Sequence, residues 1–316
     1  MSVHRLEELS MTALDALDRA RTLVIITVSP LEEHGPHLPL GVDAFTARHF
    51  AELIAERVVA ERSGWSAVLT PTLYLGSFTF EAVGTVTVRQ RVVRDAVVDY
   101  GVSLARAGFR HLLIANGHAG PTHLTALDEA AAIVSRRHRV TMASLSGHLA
   151  WGFLNGRFLA NVERALGRPL TEAEGRAFAE DAHGGWWETS MMLMLRPELV
   201  DAGYRELPAA RYPLSARLRR NYPLRDGGQG YVGHPAMAEI DFAKATTEAL
   251  VDASLELVNG LLDGRIRASA RRSPYSLMPP FRTDFWRMTA AGAVAMATAL
   301  SIAALVRRRP GRNRTA

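Results

Sequence analysis

The chain contains 316 residues, of which 48% are hydrophobic and 22% charged, as expected of a globular protein with a sizeable buried core. Its formal charge of +5 does not predict nucleic-acid binding, because Lys244 is its single lysine and the arginines are spread along the sequence. Without cysteine the chain cannot form a disulfide, a thiolate metal site or a cysteine nucleophile, so any metal must bind nitrogen and oxygen atoms.

The N-terminal part leads into a buried strand and a loop rich in metal-binding side chains. Met1–Ala20 is polar and lacks the apolar core of a signal peptide, and we expect a short helix over Leu6–Ala20. An apolar strand is predicted over Thr22–Val28. The loop that follows, Leu31–Asp43, reads LEEHGPHLPLGVD and holds two histidines and three carboxylates. Its two glycines and two prolines would fix the backbone path, which a loop of merely solvated polar residues, the alternative, does not need.

The rest of the chain alternates between predicted strands and helices. A helix follows Asp43, and the last helix of this part covers Glu239–Leu262. Between them, strands are predicted over Ala67–Thr72, Gly84–Val88, Arg110–Ala115 and Val140–Leu145, and helices over Asp95–Gly108, Thr122–Arg137 and parts of Gly147–Ala179. The alternation predicts an α/β fold, a three-layer α/β/α sandwich with a mainly parallel sheet.

Two further loops present histidine and carboxylate side chains. Asn116–Pro121 follows a predicted strand and contains His118. Asp181–Ser190 contains His183 and Glu188 and leads into an apolar helix. Functional residues of open α/β sheets lie outside the carboxyl ends of the strands, so these loops are candidates for the same site as Leu31–Asp43.

Five side chains from the three loops form the predicted metal site: Glu32, His34, Asp43, His118 and Glu188. Two imidazoles and three carboxylates are enough for two divalent ions about 3.5 to 4 Å apart, and nitrogen and oxygen ligands suit Zn, Mn or Fe. Such a pair would produce a bridging hydroxide near neutral pH and polarise a carbonyl group. The expected reaction is therefore hydrolysis.

Two of the candidates have a simpler alternative role. His183 could donate a proton to a leaving nitrogen, or it could be a hydrogen-bonded loop histidine. Glu188 could be a metal ligand, or it could cap the N-terminus of the apolar helix that follows it.

The C-terminal part differs in composition from the rest. Met288–Val306 carries no charge and is flanked by Phe285-Trp286-Arg287 and by three arginines, which predicts a single transmembrane helix over residues 285–307. A buried alanine-rich helix or an oligomerisation helix is the alternative. We therefore divide the chain into a catalytic domain (1–262), an Arg/Pro-rich linker (263–284), the membrane helix and a basic tail (308–316), with the catalytic domain expected on the cytoplasmic side.

The ordered motifs resemble those of the creatininase (creatinine amidohydrolase) family. They are Leu31–Asp43, then Asn116-Gly117-His118-Ala119-Gly120, then His183-Gly184-Gly185 ahead of Glu188-Thr189-Ser190. The resemblance covers roughly residues 1–262. It implies an α/β/α sandwich, a homo-oligomer such as a hexamer, two divalent metals, and hydrolysis of a cyclic amide or another non-peptide C–N bond.

The resemblance also implies a role for each residue. Glu32, Asp43 and His118 resemble the ligands of one metal, while His34, a bridging Asp43 and a further carboxylate resemble those of the other. In creatininase itself that carboxylate lies two residues after the histidine that corresponds to His118, where this chain has Gly120, so Glu188 becomes the favoured candidate. His183 resembles the histidine that transfers the proton. Four more residues are expected to support the ligands or lie near the substrate: His37, Ser77, Asn116 and Glu180.

Departures from the family pattern bear on the substrate. A Trp-Asp pair that accompanies creatinine recognition is replaced by Ala179-Glu180, and the segment between Ser77 and Gly84 is shorter, so creatinine is not the expected substrate. We expect a small polar amide. The alternatives are maturation of a small precursor peptide of the mycofactocin type, and a non-catalytic scaffold that keeps the fold at a membrane.

Overall fold

The computed structural model describes residues 2–268 and 272–307 and has a five-stranded parallel sheet at its centre. The strand order is β1-β3-β2-β4-β5, and all four pairings are parallel. The strands are β1 (Val3–Arg5), β2 (Thr22–Thr27), β3 (Ser66–Leu69), β4 (His111–Ala115) and β5 (Thr141–Ser144). The predicted parallel sheet is confirmed.

Apolar side chains on both faces of β2 explain why helices cover the sheet on both sides. Leu23 and Ile25 pack into a core with the helices over residues 42–61 and 240–262, whereas Val24 and Ile26 pack into a second core with the helices over residues 90–106 and 121–138. The helices are α1 (Met11–Asp15), α2 (Val42–Glu61), α3 (Gln90–Arg106), α4 (Pro121–His138), α5 (Ser146–Leu154), α6 (Leu159–Leu166), α7 (Glu172–Glu180), α8 (Trp186–Leu195), α9 (Leu214–Arg217), α10 (Ile240–Leu262) and α11 (Phe285–Arg307). This arrangement is the predicted three-layer sandwich.

Two local predictions are wrong. The helix expected over Leu6–Ala20 is a short 3₁₀ turn followed by α1, and the unpredicted strand β1 precedes them at the sheet edge. The strand expected over Gly84–Val88 is an irregular segment. Its Val86 N–H donates to the Leu31 carbonyl (2.9 Å) and its Val88 N–H to the Gly76 carbonyl (2.8 Å). Because these partners lie on two different loops, no strand ladder forms there.

The segment before the last helix packs against the sandwich. Residues 274–277 and 279–281 form 3₁₀ turns, and the buried Asp128 carboxylate of α4 accepts hydrogen bonds from the Ser273 N–H (2.8 Å) and the Ser276 hydroxyl. Arg94 of α3 forms an ion pair with Asp284 (2.8 Å). The segment that leads into α11 is therefore held against α3 and α4.

Helix α11 has the length and composition of a membrane span. Its first 19 residues, Phe285–Ala303, are apolar enough to cross a bilayer and are not buried by the rest of the described chain. The predicted basic tail, 308–316, lies outside the described residues.

Candidate metal centre

Three loops meet at the carboxyl edge of the sheet. Strands β2 and β4 are parallel neighbours, with Ile26 opposite Ile114, so the loops that follow them leave the sheet side by side. Gly117 allows the second loop to touch the first turn of α2, since a Cβ at this position would lie 2.3 Å from the Asp43 carbonyl oxygen. Helix α8 starts at Trp186 and brings Glu188, in its first turn, to the same place.

The five predicted ligands form two groups that share Asp43. His118 Nδ1 lies 2.9 Å from Glu32 Oε2 and 3.4 Å from Asp43 Oδ2. His34 Nε2 lies 3.5 Å from Asp43 Oδ1 and 3.7 Å from Glu188 Oε2. The ligand atoms within each group all lie within 4.8 Å of one another. A third group of the same kind joins Glu32 and His34 to His183.

Backbone carbonyls orient both histidine rings. His34 Nδ1–H donates to the Glu32 carbonyl (3.0 Å), and His118 Nε2–H donates to the Ser77 carbonyl (3.1 Å). A carbonyl oxygen only accepts, so the hydrogen must be on the ring nitrogen that faces it. His34 Nε2 and His118 Nδ1 are then left as lone-pair donors toward the carboxylates, which is how metal-binding histidines are usually held.

The electrostatics of the cluster favour a bound cation. Glu32 Oε2, His34 Nε2 and Asp43 Oδ2 are buried and have no hydrogen-bond partner among the described residues. Burial lowers the pKa of His34, but the nearby Glu188 and Asp43 carboxylates outweigh it and raise that pKa to about 10. Burial raises the pKa of Asp43, yet His34 and His118 hold it well below its ordinary value. Buried carboxylates of this kind need positive charge, and the nitrogen and oxygen atoms present fit divalent ions.

Asn116 and His37 support the cluster without joining the groups. The Asn116 side chain accepts from the His118 N–H (3.0 Å) and donates to the His118 carbonyl (2.6 Å), which closes the second loop around the ligand. His37 Nε2 hydrogen-bonds the Thr189 hydroxyl (2.8 Å), next to Glu188 in the sequence. Burial, followed by the neighbouring His34, lowers the pKa of His37 to about 4, so this ring is neutral at physiological pH.

His183 lies against the cluster. Its ring stacks on that of His34 with the centroids 4.2 Å apart, and its Nε2–H donates to the Glu33 carbonyl (2.7 Å). Its backbone pairs with that of Val232, which fixes the third loop. His183 is therefore hydrogen-bonded, as its simpler alternative requires, and also in contact with a predicted ligand.

Ser77 and Glu180 have different surroundings. Ser77 is buried, and its hydroxyl is 3.2 Å from that of Thr122. Glu180 is bound instead to Arg211 and His234, each 2.6 Å from its Oε2 atom, and it belongs to none of the three groups.

Two residues at the site were not predicted from the sequence. The Phe80 N–H donates to Glu32 Oε1 (2.5 Å), and the Phe80 ring lies edge-on to His183 at 4.8 Å. No sequence pattern marks Phe80, because its role depends on the path of an irregular loop. Asp181 accepts from the backbone N–H groups of Trp186 (2.7 Å) and Trp187 (2.9 Å) and so positions the start of α8. The position of Asp181 shortly before a predicted helix is a sequence feature from which its role at the helix start could have been predicted.

Comparisons with known proteins agree on the family. The family model for creatinine amidohydrolase (creatininase) matches residues 7–258. The mycofactocin precursor peptide peptidase of Mycolicibacterium smegmatis is 27% identical over 244 residues, 76% of this chain and 83% of that protein. The creatinine amidohydrolase of Pseudomonas putida is 27% identical over 192 residues, 57% of this chain and 66% of that protein.

Solved structures show the same fold. A creatininase crystal structure has a TM-score of 0.61 at 23% identity and covers 81% of this chain and 96% of that chain. Two others, with TM-scores of 0.60 and identities of 21% and 22%, are described as a manganese form and a Zn–Zn form. The chain belongs to the creatininase family, whose members are hydrolases.

Proposed function

We propose that the chain is a hydrolase of a C–N bond that uses two divalent metal ions. The observation that carries this proposal is the pair of ligand groups, Glu32–Asp43–His118 and His34–Asp43–Glu188, which share one buried carboxylate. Asp43 presents Oδ2 to His118 and Oδ1 to His34, as a bridging ligand between two ions would. Zn, Mn and Fe all suit this set of atoms.

The residues around the cluster have distinct parts in such a reaction. Bound ions would act as a Lewis acid toward the carbonyl and activate water for attack on it. Ser77 and Glu32 use their backbone carbonyls to keep both histidine rings in the orientation needed for binding. His183, stacked on His34, is placed to donate a proton to the leaving nitrogen. The nitrogen needs this proton because it leaves as a neutral amine. Phe80 covers His183 on another side.

Metal analysis of the purified protein tests this proposal. We expect about two divalent ions per chain, and Asp43→Ala should lose both because both groups contain Asp43. Asp241→Ala is a matched control, since Asp241 is the second residue of α10 just as Asp43 is of α2, but is exposed and pairs only with Lys244 among the described residues. An Asp43→Ala protein that keeps two ions and full activity would refute the proposal.

The substrate is proposed at the level of bond type. A small amide and a precursor peptide both present a C–N bond next to a carbonyl. The similarity to the peptide peptidase, which extends over 83% of that protein, favours the peptide alternative. Incubating the metal-loaded protein with a metabolite extract and, separately, with a peptide library separates the two. A protein that binds no metal yet folds normally would favour the scaffold alternative.

We further propose that α11 anchors the domain of residues 1–262 to a membrane through the segment 263–284, with the domain in the cytoplasm and assembled as a homo-oligomer. The support for anchoring is the exposed apolar surface of α11. The support for assembly is the family membership. Flotation with lipid vesicles tests the first statement and light scattering of the detergent-free domain tests the second.

A further inference from the structure

An apolar cavity lies beside the candidate metal centre. It has a volume of about 130 Å³ and is bounded by α2, α5, α7, α8, α10 and the end of β4. Aromatic rings form one wall, with Phe153 packed against Phe178 (4.9 Å between centroids) and Trp187 (5.3 Å). Aliphatic side chains form much of the rest, including Ile54, Leu149 and Leu250.

The cavity and the metal centre share residues. His118 and Glu188, one from each ligand group, line the cavity. Thr46, one turn after Asp43 on α2, also lines it, and the Thr46 hydroxyl has no hydrogen-bond partner among the described residues. The cavity is therefore directly adjacent to both ligand groups.

The size of the cavity indicates which group fits. A dry cavity of about 150 Å³ lined by leucine, isoleucine and phenylalanine side chains is enough to bind benzene. We propose that the substrate carries an aromatic ring or a branched aliphatic group of that size next to the scissile C–N bond, and that this cavity binds it. In the reaction, water adds to the carbonyl carbon, the C–N bond breaks, and the nitrogen leaves as an amine after taking a proton. This inference rests on the proposed hydrolase function and narrows its substrate class.

Two hydroxamates distinguish the contribution of the cavity to binding from that of the metal centre. Hydroxamates bind divalent ions, so acetohydroxamate probes the metal centre alone, and 3-phenylpropanohydroxamate adds a ring that can enter the cavity. We expect the phenyl compound to bind the metal-loaded full-length protein about tenfold or more tightly, because its ring leaves water for an apolar cavity. Titration calorimetry measures both affinities.

A pair of variants identifies the cavity as the source of the difference. Leu149→Trp should fill the cavity and abolish the preference for the phenyl compound. Leu214→Trp, the same exchange at an exposed site on α9, should keep it. Metal-free protein should bind benzene by saturation-transfer NMR unless Leu149 is replaced.

The outcomes distinguish two failures. Equal affinities for the two hydroxamates, or no benzene binding to the unmodified chain, would refute the cavity proposal and leave the metal proposal intact. Binding of neither hydroxamate, with benzene still bound, would refute the metal centre. The comparison of the two compounds uses the unmodified chain, so it does not depend on how Leu149→Trp folds.

Discussion

At the scale of single residues, two positions bear on how this chain would hold the second proposed metal ion, because it lacks the carboxylate that the resemblance to creatininase places two residues after His118. At Gly120 a side chain has no room, since a Cβ would lie 2.4 Å from His118 Nε2 and 3.0 Å from the Ser77 carbonyl oxygen. Glu188 lies on the other side of the cluster, with Oε2 3.7 Å from His34 Nε2. The same oxygen accepts the Gly184 N–H (2.5 Å), so the ligand and capping roles coincide in one atom.

Glu188→Gln separates these two roles. The glutamine amide oxygen can still accept the Gly184 N–H, but it carries no negative charge. We expect one of the two bound ions to be lost and activity to fall at least 100-fold, because a neutral amide is a poor metal ligand. The metal-free protein should still fold because the cap is kept, and any loss of unfolding free energy would report the missing ion pair with His34. Metal analysis and thermal unfolding measure the two effects.

Glu174→Gln is the matched control for this exchange. Glu174 occupies the third position of α7, as Glu188 does in α8, but it forms a capping box with Thr171 and belongs to none of the ligand groups. The Glu174→Gln variant should keep both ions. If Glu188→Gln also keeps both ions and full activity, then Glu188 is only a cap.

At the scale of secondary-structure elements, the segment before α11 is held to α4 by one buried carboxylate. Burial raises the pKa of Asp128 to about 7, although the Ser276 hydroxyl and the Ser273 N–H both donate to it. The ordinary pKa of an aspartate is 3.8. Between this value and about 7, Asp128 therefore keeps its proton in the folded state and has lost it in the unfolded chain. The contribution of Asp128 to the free energy of unfolding is therefore greatest at low pH and falls as the pH rises from about 4 to about 7.

Asp128→Asn should remove this pH dependence. Asparagine keeps an oxygen that accepts from Ser273 and Ser276 but cannot ionise. We expect the wild type to lose about 1–3 kcal/mol between pH 5 and pH 8 relative to Asp128→Asn. Urea unfolding at both pH values measures this difference. Asp252→Asn, at an exposed site on α10, should follow the wild type; equal pH profiles for wild type and Asp128→Asn would contradict the argument.

At the scale of the whole molecule, specific contacts join the start of α11, the proposed anchor, to the sandwich. Asp284, the residue before α11, pairs with both Arg91 and Arg94 of α3, and Gln90 donates to the Phe281 carbonyl (2.7 Å). An anchor attached in this way would give the metal centre a defined orientation relative to a bilayer.

Two truncations test the anchor and its attachment separately. Ending the chain after Asp284 removes α11 but keeps the ion pairs and the Asp128 contacts, so the protein should leave the membrane fraction with unchanged thermal stability. Ending it after Leu262 also exposes Asp128, which should lower the unfolding temperature by several degrees. Vesicle flotation and calorimetry measure the two effects. If the full-length chain stays soluble without detergent and does not float with vesicles, α11 is not an anchor.

The layered fold and the candidate ligands could be predicted from the sequence, because local patterns indicate the strands and loops, and the family resemblance favours Glu188. Apolar strands such as Thr22–Thr27 predict a buried parallel sheet, and loops with histidine and carboxylate after such strands predict where ligands gather. The irregular Gly84–Val88 segment was mistaken for a strand, since β-branched residues favour extended backbone whether or not a partner strand is available.

Which side chains contact one another depends on the tertiary structure. The sharing of Asp43 between His34 and His118, the contact of Phe80 with Glu32, and the packing of residues 272–284 on α4 all join parts of the chain that are distant in sequence. The cavity that His118 and Glu188 share with Phe153 has the same origin. Such contacts depend on how the layers pack against one another, and no local sequence pattern specifies the distances between elements.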